Sequence, residues 1–520
     1  MTANICHSGR GTIGLRSDGR ACGPHARDRQ SQKVKQRLTC SFALAGLLVL
    51  LSVASARAAV DDLDAQRARL EAEHLVRLGA LADWCDEHGL TDEAAETRRL
   101  SQARDPRRLY LVKLASESVP PLPVSADAHQ QQWYREFWQL RRAQAEQYFR
   151  LAQRSIRVGR ASLAYDLALA AGREYPDHPG VRKLLGYQKH RGTWQTMYEV
   201  RKQRAGQVWD DRFGWLLRSH LPRYEAGERL VDGRWMPAAD EAHIRSDLAQ
   251  GWQIETEHYL LLTNHSQAAG AQLAARLEQF YRVWQQLFAQ YYASTDQLTM
   301  LFDGRAPARG DEHRFRVVYF RNRAEYEQAL SAYLPPGVRT AGIYVGDRRT
   351  AFFFADGEED DTGTLYHEAA HQLFSESRPV AGDPGTTANF WIVEGIACYF
   401  ESMVEEPDRF VLGGADTVRF RDARYRLLES EFYVPLAELT RMGRTDFQRD
   451  SRLPMLYSQG AGLTHFLMHQ GDGAYRDALV RYLLAVYTGR DRPDRLAELT
   501  GTTFDELDRQ YREFVTSAEP

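Results

Sequence analysis

Two histidines four residues apart constrain the fold more than any other feature of the sequence. They belong to the pentapeptide His367-Glu368-Ala369-Ala370-His371. In an α-helix, residues four apart lie on nearly the same face, so both imidazoles would point toward one position in space. Two imidazoles in this arrangement can bind one zinc ion, and the carboxylate beside the first can act as a general base. The pentapeptide therefore predicts a helix that carries a metal site.

A catalytic zinc site usually takes three protein ligands and keeps one position for water, so the two histidines need a third partner. The stretch 391–401 has the pattern of an amphipathic helix, and Glu394 within it is the candidate third ligand. Glu401 falls two helical turns later on almost the same face, where it could accept the second ring N–H of a zinc-bound histidine. Gly395 is small and would let this helix approach the His367 helix closely. The alternative interpretation is that Glu394 is an ordinary surface glutamate.

Tyr457 is the candidate for a further catalytic group. Pro454 favours the first turn of a helix, so the Tyr457 hydroxyl would project from near the start of that helix. Gly460 and Gly462 follow, and each costs about 1 kcal/mol relative to alanine in a helix interior. Such a cost suggests that a neighbouring element packs closely there. Alternatively, Tyr457 is an aromatic residue at the edge of the core.

Together these motifs resemble those of the gluzincins, zinc peptidases in which a glutamate supplies the third ligand. Residues 391–401 match the pattern Trp-x-x-Glu-Gly-x-Ala-x-Tyr-x-Glu of the membrane alanyl aminopeptidase branch at every fixed position. The stretch 457–460, Tyr-Ser-Gln-Gly, is similar to a Tyr-x-Lys-Gly motif of that branch, with glutamine in place of lysine. The resemblance implies a Zn²⁺ site formed by His367, His371 and Glu394. It also implies that the tyrosine of the second motif stabilises the tetrahedral intermediate.

Two departures from that branch limit what the resemblance implies. The gap between the second histidine and Glu394 is longer here, since residues 372–393 intervene and include a loop-like segment. The sequence also contains no Gly-Ala-Met-Glu-Asn stretch, which anchors the free amino terminus of the substrate in the aminopeptidases. Aminopeptidase specificity is therefore not implied. Residues 250–518 as a whole resemble a set of secreted bacterial gluzincin-like proteins that share the three helix motifs.

For residues 250–520 the resemblance implies an α+β fold, a thermolysin-like peptidase domain with a small sheet and a helical subdomain. It implies hydrolysis of a peptide or protein substrate, with Glu368 taking a proton from the zinc-activated water. One alternative is a zinc-binding envelope scaffold without peptidase activity that recognises proteins through its amino-terminal helices. Another is a different hydrolysis at the same metal, such as the opening of an epoxide.

The amino terminus predicts export. Lys33, Lys35 and Arg37 precede an apolar run, 38–53, which is short for a membrane span and is followed by Ala-x-Ala cleavage patterns. We therefore expect residues 1–58 to be a signal peptide with an extended amino-terminal region. The mature protein is then expected to be secreted or periplasmic, without a transmembrane domain. An uncleaved membrane anchor is the alternative.

The charge distribution argues against nucleic acid as a partner. Residues 1–58 contain nine Lys or Arg and two Asp or Glu, a net charge of +7, which leaves −10 for the remainder of a chain whose total is −3. Such an acidic remainder does not favour nucleic-acid binding. Three of the five cysteines also lie in residues 1–58. The other two, Cys85 and Cys398, are not expected to form a disulfide, and Cys398 is not expected to bind zinc.

Upstream of the peptidase-like part, the sequence predicts two regions. Residues 59–187 are rich in Ala, Leu, Arg and Glu at helical spacing, and 161–185 resembles a tetratricopeptide helix pair. This pattern suggests a short helical array that could bind a protein partner. Residues 188–249 contain two Gly-x-Trp units, 191–194 and 232–235, each expected to form a hairpin. The tryptophans are expected to be packing elements, with ligand binding as the alternative.

The sequence pattern before the metal helix changes to that of strands. We expect strands at 255–262 and 314–320, a helix at 268–292, and a hairpin formed by 341–345 and 350–354. A strand just before the metal helix could pair with an extended peptide and hold its scissile carbonyl near the zinc.

Two further features are predicted to be structural. The acidic loop 357–361 lacks the ligand spacing of a calcium loop and is expected to be solvated. His465 and His469 repeat the four-residue spacing, but Phe466 occupies the position of the catalytic glutamate. We interpret this pair as ordinary helix residues. Two helices, 474–486 and 503–515, are expected to complete the chain.

Overall fold

The structure is a computed structural model that describes residues 62–114, 119–122, 124–305, 314–334, 340–355, 362–380 and 382–518. Contacts separate Met1–Ala65 from a second compact unit, Gln66–Pro520. The predicted signal peptide, residues 1–58, and the acidic loop 357–361 lie outside the described residues. In the described part of the chain, no helix combines the length and apolar character needed to cross a membrane.

The amino-terminal part of the described chain is mostly helical. Its elements are α1 (62–87), α2 (Thr91–Arg99), β1 (Arg108–Val112), α3 (Ala128–Arg157), α4 (Ala161–Glu174) and α5 (Pro179–Leu184). The longest helix, α3, begins at a capping box in which the Asp127 side chain accepts a hydrogen bond from the Gln130 N–H. A short turn at 158–160 folds α4 back along it. Two helices, α4 and α5, lie within 161–185 as predicted, although α5 has only six residues and α4 packs mainly on α3.

Three consecutive hairpin–helix units follow, one more than the sequence predicts. They are β2 (Tyr187–His190), β3 (Thr193–Thr196) and α6 (Met197–Arg204), then β4 (Gln207–Asp210), β5 (Gly214–Leu217) and α7 (Leu221–Glu225), then β6 (Glu228–Val231), β7 (Arg234–Pro237) and α8 (Ala238–Arg245). Each strand pair is antiparallel. The middle unit lacks the Gly-x-Trp spacing, since Gly214 directly precedes Trp215. Its glycine still adopts a positive φ of 70° at the hairpin turn, where a side chain would be strained.

A five-stranded mixed sheet and its helices form the next layer. The elements are β8 (Trp252–Glu255), β9 (Tyr259–Thr263), α9 (Gln267–Leu287), α10 (Ala289–Tyr292), α11 (Thr295–Phe302), β10 (Phe315–Phe320), α12 (Arg323–Ala329), β11 (Gly342–Val345) and β12 (Thr350–Phe354). The strand order is β11-β12-β10-β9-β8. The central β9, β10 and β12 are parallel, and the two outer strands are antiparallel to their neighbours.

The strand and helix predictions for this layer are right in type and partly wrong in extent. The strand predicted at 255–262 is a hairpin of two strands, because Thr256 turns the chain and its backbone N–H donates to the Tyr259 carbonyl. The helix predicted at 268–292 is interrupted at Phe288, whose ψ of 33° leaves the helical range. The strand at 314–320 and the hairpin of β11 and β12 are confirmed.

The remaining elements are mostly helices. They are α13 (Thr362–Glu376), α14 (Phe390–Phe400), β13 (Val404–Glu405), β14 (Arg409–Gly413), α15 (Val418–Leu428), α16 (Leu436–Leu439), α17 (Arg444–Arg449), α18 (Leu453–Gly473), α19 (Arg476–Tyr487), α20 (Arg495–Thr500) and α21 (Phe504–Thr516). Helix α14 is apolar on nearly every side and lies buried against α13 and α18. The helices predicted at the carboxy terminus are confirmed as α19 and α21.

Glycines set the close contact between α14 and α18. A Cβ on Gly395 would lie 2.6 Å from Thr464 Oγ1 and 2.7 Å from the Gly460 carbonyl oxygen, both on α18. The prediction that Gly395 faces the His367 helix is therefore wrong, because this face of α14 packs on α18. The prediction of close packing at Gly460 and Gly462 is confirmed. A Cβ on Gly462 would lie 2.4 Å from the Tyr511 hydroxyl oxygen.

The helical amino-terminal part and the carboxy-terminal part share a sheet. Strand β1 pairs with β14 in antiparallel register, from Arg108 opposite Gly413 to Val112 opposite Arg409. One apolar core also continues from Leu169 on α4 through α9, α13, α14 and α18. The structure is thus a mixed α+β fold in which small sheets are embedded among many helices.

Candidate functional site

Three side chains from α13 and α14 converge on one point. The Nε2 atoms of His367 and His371 lie 3.2 Å apart. The Oε2 atom of Glu394 lies 3.5 Å from the first Nε2 and 3.6 Å from the second. Donor atoms about 2.1 Å from a four-coordinate divalent ion lie roughly 3.4 Å from one another. The three residues therefore form a group that could hold a metal ion.

The helices expose these donors at the edge of the core. On α13, Leu365, Ala369, Leu373 and their neighbours face the interior, which leaves the two histidines on the opposite, partly open side. The side chains of His367, His371 and Glu394 are 13%, 16% and 13% exposed. They are thus shielded but reachable, as a site that binds a substrate requires.

Glu401 lies on the far side of His367 from the donor atoms. Its Oε1 atom lies 2.8 Å from His367 Nδ1, so the carboxylate fixes the ring and leaves Nε2 for the metal. Arg419 on α15 donates two hydrogen bonds to the same carboxylate, 2.6 Å from Nε to Oε2 and 2.8 Å from Nη2 to Oε1. Burial opposes ionisation of Glu401, but the hydrogen bonds with His367 and Arg419 outweigh it and lower its pKa.

Arg419 is a residue that the sequence motifs do not indicate. It lies 18 residues after Glu401, beyond β13 and β14, and its position depends on how α15 packs on α18. The only sequence signal is an arginine on a helix downstream of the second motif, which is too common a feature to single out. In the structure Arg419 is the last residue of a hydrogen-bonded series that runs from α15 through Glu401 to His367.

Glu368 is placed apart from the metal-binding group. Its Oε2 atom accepts a hydrogen bond of 2.8 Å from the Tyr344 N–H, in the edge strand β11. Burial raises the pKa of Glu368, and the charges of His367 and His371 only partly offset this effect. The Glu368 carboxylate is thus held by the β11 backbone, next to the candidate metal group but outside it.

The strand beside this glutamate is β11. The segment immediately before the metal helix is β12, but β12 has neighbours on both sides, β10 and β11. An extended chain could therefore pair with β11, but not with β12, the strand that directly precedes the helix. In the described part of the chain β11 has a strand neighbour on one side only, and on its other side Glu368 occupies the Tyr344 N–H.

Tyr457 approaches the group from the first turns of α18, which begins with Pro454 in its first turn as predicted. The ring is half-buried against Phe447, with ring centroids 5.7 Å apart. Burial raises the pKa of Tyr457, and the negative charge of Glu394 and a hydrogen bond with it raise the pKa further. The hydroxyl therefore stays protonated, as a hydrogen-bond donor must.

Cys398 lies closer to the site than the sequence argument implies. Its thiol, with His367 and Glu401, forms a second group of donor atoms that could hold a metal ion. In this group both carboxylate oxygens of Glu401 are already hydrogen-bonded, to Arg419 and to His367. The group with Glu394 is therefore the better candidate. Cys85 and Cys398 are both buried free thiols.

His465 and His469 are placed away from these donors, in the packing between α18 and the β1 and β14 segments. The Gly414 N–H donates to His465 Nε2 at 3.1 Å, and His469 Nε2 lies 3.0 Å from the Tyr399 hydroxyl. Burial lowers the pKa of His465 to about 3 and lowers that of His469 as well. Both rings act as neutral, hydrogen-bonded core residues.

Asn389 fixes the start of the helix that carries Glu394. Its backbone has a positive φ of 59°, a conformation that asparagine tolerates better than most residues. The side chain is buried, accepts a hydrogen bond of 2.6 Å from the Tyr482 hydroxyl and donates one of 3.0 Å to Asp491. The sequence motifs do not indicate this residue either, because its partners lie about a hundred residues away.

The chain matches no protein-family profile, no curated protein and no solved structure. The case for a function therefore rests on the motifs and on the geometry of the site. That geometry provides a His/His/Glu group for a metal ion, a neighbouring buried carboxylate outside the group, and a tyrosine hydroxyl beside it.

Proposed function

We propose that the protein is a zinc-dependent peptidase of the gluzincin type. The main support for the proposal is that Glu394 and Glu368 are held in different places. Glu394 points its oxygen at the two histidine Nε2 atoms, while Glu368 is held by the β11 backbone and is not part of that donor group. Two nitrogens and one carboxylate oxygen also suit zinc better than calcium or magnesium, which prefer oxygen ligands.

In this mechanism His367, His371 and Glu394 would hold the zinc, and a bound zinc would supply a water of lowered pKa and a positive charge near the substrate carbonyl. Glu368 takes the proton of that water and later delivers it to the leaving amine. Tyr457 donates a hydrogen bond to the oxygen that becomes negatively charged. Glu401 and Arg419 keep the His367 ring in its orientation.

The position of β11 supports a peptide as the substrate. Tyr344 in this edge strand already donates its N–H to Glu368, so a chain that pairs with other outward backbone groups of β11 would run next to the general base. Backbone pairing of this kind gives affinity without selecting side chains. We therefore propose an extended peptide segment as substrate.

We extend the proposal to the domain architecture and to the location of the protein. We propose that the sheet and the helices α13, α14 and α18 form a thermolysin-like peptidase domain. The helical array α1–α5 is proposed as a tetratricopeptide-like surface for a protein partner. Export to the periplasm or beyond, through the signal peptide proposed at residues 1–58, would place both in the bacterial envelope.

The test compares Glu368→Gln with the wild-type protein. The substitution keeps size and shape but removes the base, so we expect one zinc per chain in both proteins and a loss of cleavage of about 10²- to 10⁴-fold in the variant. Zinc is measured by atomic spectrometry, and cleavage by mass spectrometry of a mixed peptide library. Glu438→Gln, on the exposed part of α16, serves as the matched control and should match the wild type in both.

Equal cleavage by wild type and Glu368→Gln would contradict the proposal. Bound zinc without cleavage of any peptide would favour the alternative, an envelope scaffold that binds zinc. In that case substitutions within residues 66–249 of the intact protein should abolish partner binding, and substitutions in the metal group should not.

A further inference from the structure

A second cavity lies at the hairpin–helix units. It has a volume of about 520 Å³ and lies between the first two units, the turn after β8 and helix α9. We call it the hairpin pocket. Its walls include Trp209, Trp215, Tyr198, Glu257 and Gln279. Nothing in the proposed peptidase mechanism uses this pocket.

Three aromatic rings of the hairpin pocket form a corner. The Trp209 and Trp215 ring centroids lie 5.9 Å apart with their planes at 68°. Tyr198 lies 5.9 Å from Trp215 on another side, at 81°. The two tryptophans are only partly buried. The chain's own cations already contact the Tyr198 ring, with 5.2 Å from Lys202 Nζ and 5.8 Å from Arg314 Cζ to the ring centroid. The faces of the two tryptophans therefore remain for an organic cation.

The charges of the hairpin pocket have the matching sign. Its lining carries four carboxylates, Glu199, Asp211, Glu257 and Glu278, and one guanidinium, Arg282. Two of the carboxylates bind neutral donors, since Glu199 accepts from the Thr196 N–H and Asp211 from the Trp209 indole N–H. Their charge is therefore not cancelled by these partners.

Arg282 and Glu278, two other charged residues of the lining, each have a partner in the structure. Arg282 donates to the Tyr187 hydroxyl at 3.1 Å, and Glu278 lies 2.9 Å from the His258 ring. Burial raises the pKa of Glu257, a cost that a bound cation would offset. Among the lining residues the negative charge stays in excess.

The hairpin pocket is separate from the metal group. Glu257 lies in the turn between β8 and β9, whereas Glu368 is held by β11. The strand order places β9 three strand spacings and β8 four from β11. At about 4.8 Å per spacing, the pocket lies roughly 14 to 19 Å across the sheet from the strand at the metal group.

We propose that the hairpin pocket binds an organic cation, an ammonium or guanidinium group, against Trp209 and Trp215, with Glu257 as its counter-charge. A free amine and a lysine or arginine side chain on a peptide present this same chemistry. This proposal does not depend on the proposed peptidase activity, because none of its residues belongs to the metal group.

The experiment measures binding to the Glu368→Gln protein, in which peptides should stay intact. The probes are choline, and end-capped pentapeptides with one central lysine, arginine, glutamine or glutamate between alanines. Binding is followed by tryptophan fluorescence and by calorimetry at low and high salt. We expect the cationic probes to bind and the glutamine and glutamate peptides not to bind. Affinity for choline indicates a free amine as the source, and preference for the lysine or arginine peptide indicates a peptide.

Variants locate the binding site. Trp215→Ala should weaken cation binding by a few-fold to about thirtyfold, as expected for the loss of one cation–π contact, while Trp215→Phe should keep most of it. Glu257→Gln should weaken binding and reduce its salt dependence. Trp235→Ala is the matched control. It removes the equivalent tryptophan of the third unit, which packs on Arg223 with 3.8 Å from Cζ to the ring centroid and does not line the pocket.

Three results would overturn the proposal. The first is no binding of any cationic probe at millimolar concentration. The second is binding that Trp215→Ala and Trp235→Ala weaken equally, with both variants folded by circular dichroism. The third is binding of a neutral sugar, tested with an N-acetylglucosamine tetramer, without binding of the cations.

Discussion

Replacing Arg419 with glutamine should weaken zinc binding without touching a zinc ligand. In the structure the guanidinium holds both oxygens of Glu401, and one of these oxygens also lies 2.8 Å from His367 Nδ1. Glutamine can donate one hydrogen bond but cannot supply the charge or the two parallel bonds. Glu401 would then be free to rotate away, and His367 would lose its fixed orientation.

The magnitude follows from what such supporting residues contribute. Loss of a partner one step behind a metal ligand typically costs 10- to 100-fold in metal affinity. Since each factor of ten is about 1.4 kcal/mol, the expected loss is about 1.4 to 2.8 kcal/mol of binding free energy. The Arg419 side chain is 38% exposed, so solvent screening favours the lower end of this range. The zinc affinity of Arg419→Lys should lie between those of the wild type and Arg419→Gln, because lysine keeps the charge but cannot make the bidentate contact.

The assay is a competition titration of zinc against a chelator of known affinity, with thermal unfolding of the zinc-free protein measured in parallel. Arg421→Gln is the matched control, since Arg421 is an exposed arginine on the same helix. We expect a raised zinc Kd for Arg419→Gln and an unchanged Kd for Arg421→Gln. If both variants bind zinc as tightly as the wild type, the chain from Arg419 through Glu401 to His367 has no role in the metal site.

Three further predictions concern catalysis, packing and pH. Tyr457→Phe should retain zinc and lower kcat by about 10²- to 10³-fold with little change in KM, measured on any peptide the wild type cleaves; an unchanged kcat would remove the hydroxyl from the mechanism. Gly395→Ala should destabilise the fold by about 1 to 3 kcal/mol in denaturant unfolding because its Cβ meets the α18 backbone, whereas Gly79→Ala, in open space on α1, should stabilise it by about 0.5 to 1 kcal/mol; equal effects would contradict the packing described. Because burial lowers the pKa of His465 to about 3 and lowers that of His469, both are neutral when folded, so stability is present above the unfolded pKa near 6.5 and is lost as pH falls. Between pH 7 and pH 5 the His465 ring should cost about 2 kcal/mol of unfolding free energy, and His469 should add a further loss in the same direction. His469→Gln should reduce the pH dependence of stability, and a variant as pH-sensitive as the wild type would contradict this assignment.

Local spacing was sufficient to predict much of the candidate site. A spacing of four residues, about one helical turn, brings His367 and His371 together whatever the rest of the fold does. The seven-residue spacing from Glu394 to Glu401 likewise follows from the helix, and it allows one carboxylate to reach the Nε2 side and the other the Nδ1 side of His367. These relations depend on one or two helices, so sequence reasoning can reach them.

The parts that sequence reasoning missed depend on contacts between distant segments. Arg419 and Asn389 matter through partners brought near by packing, and neither has a local pattern that marks it. The face of Gly395 was predicted wrongly because a helix that is apolar all round does not reveal which neighbour lies on which side. The middle hairpin was missed because its turn changes the Gly-to-Trp spacing at Gly214 and Trp215 while the fold of the unit stays the same.

The most direct test of the central claim is a crystal structure of the zinc-loaded protein with anomalous diffraction at the zinc absorption edge. The account predicts one strong anomalous peak within about 2.2 Å of His367 Nε2, His371 Nε2 and a Glu394 oxygen, and no such peak in His371→Ala. A peak bonded instead to the Cys398 sulfur and Glu401, or no peak at this group in the wild-type protein, would contradict the proposed metal site and the peptidase mechanism built on it.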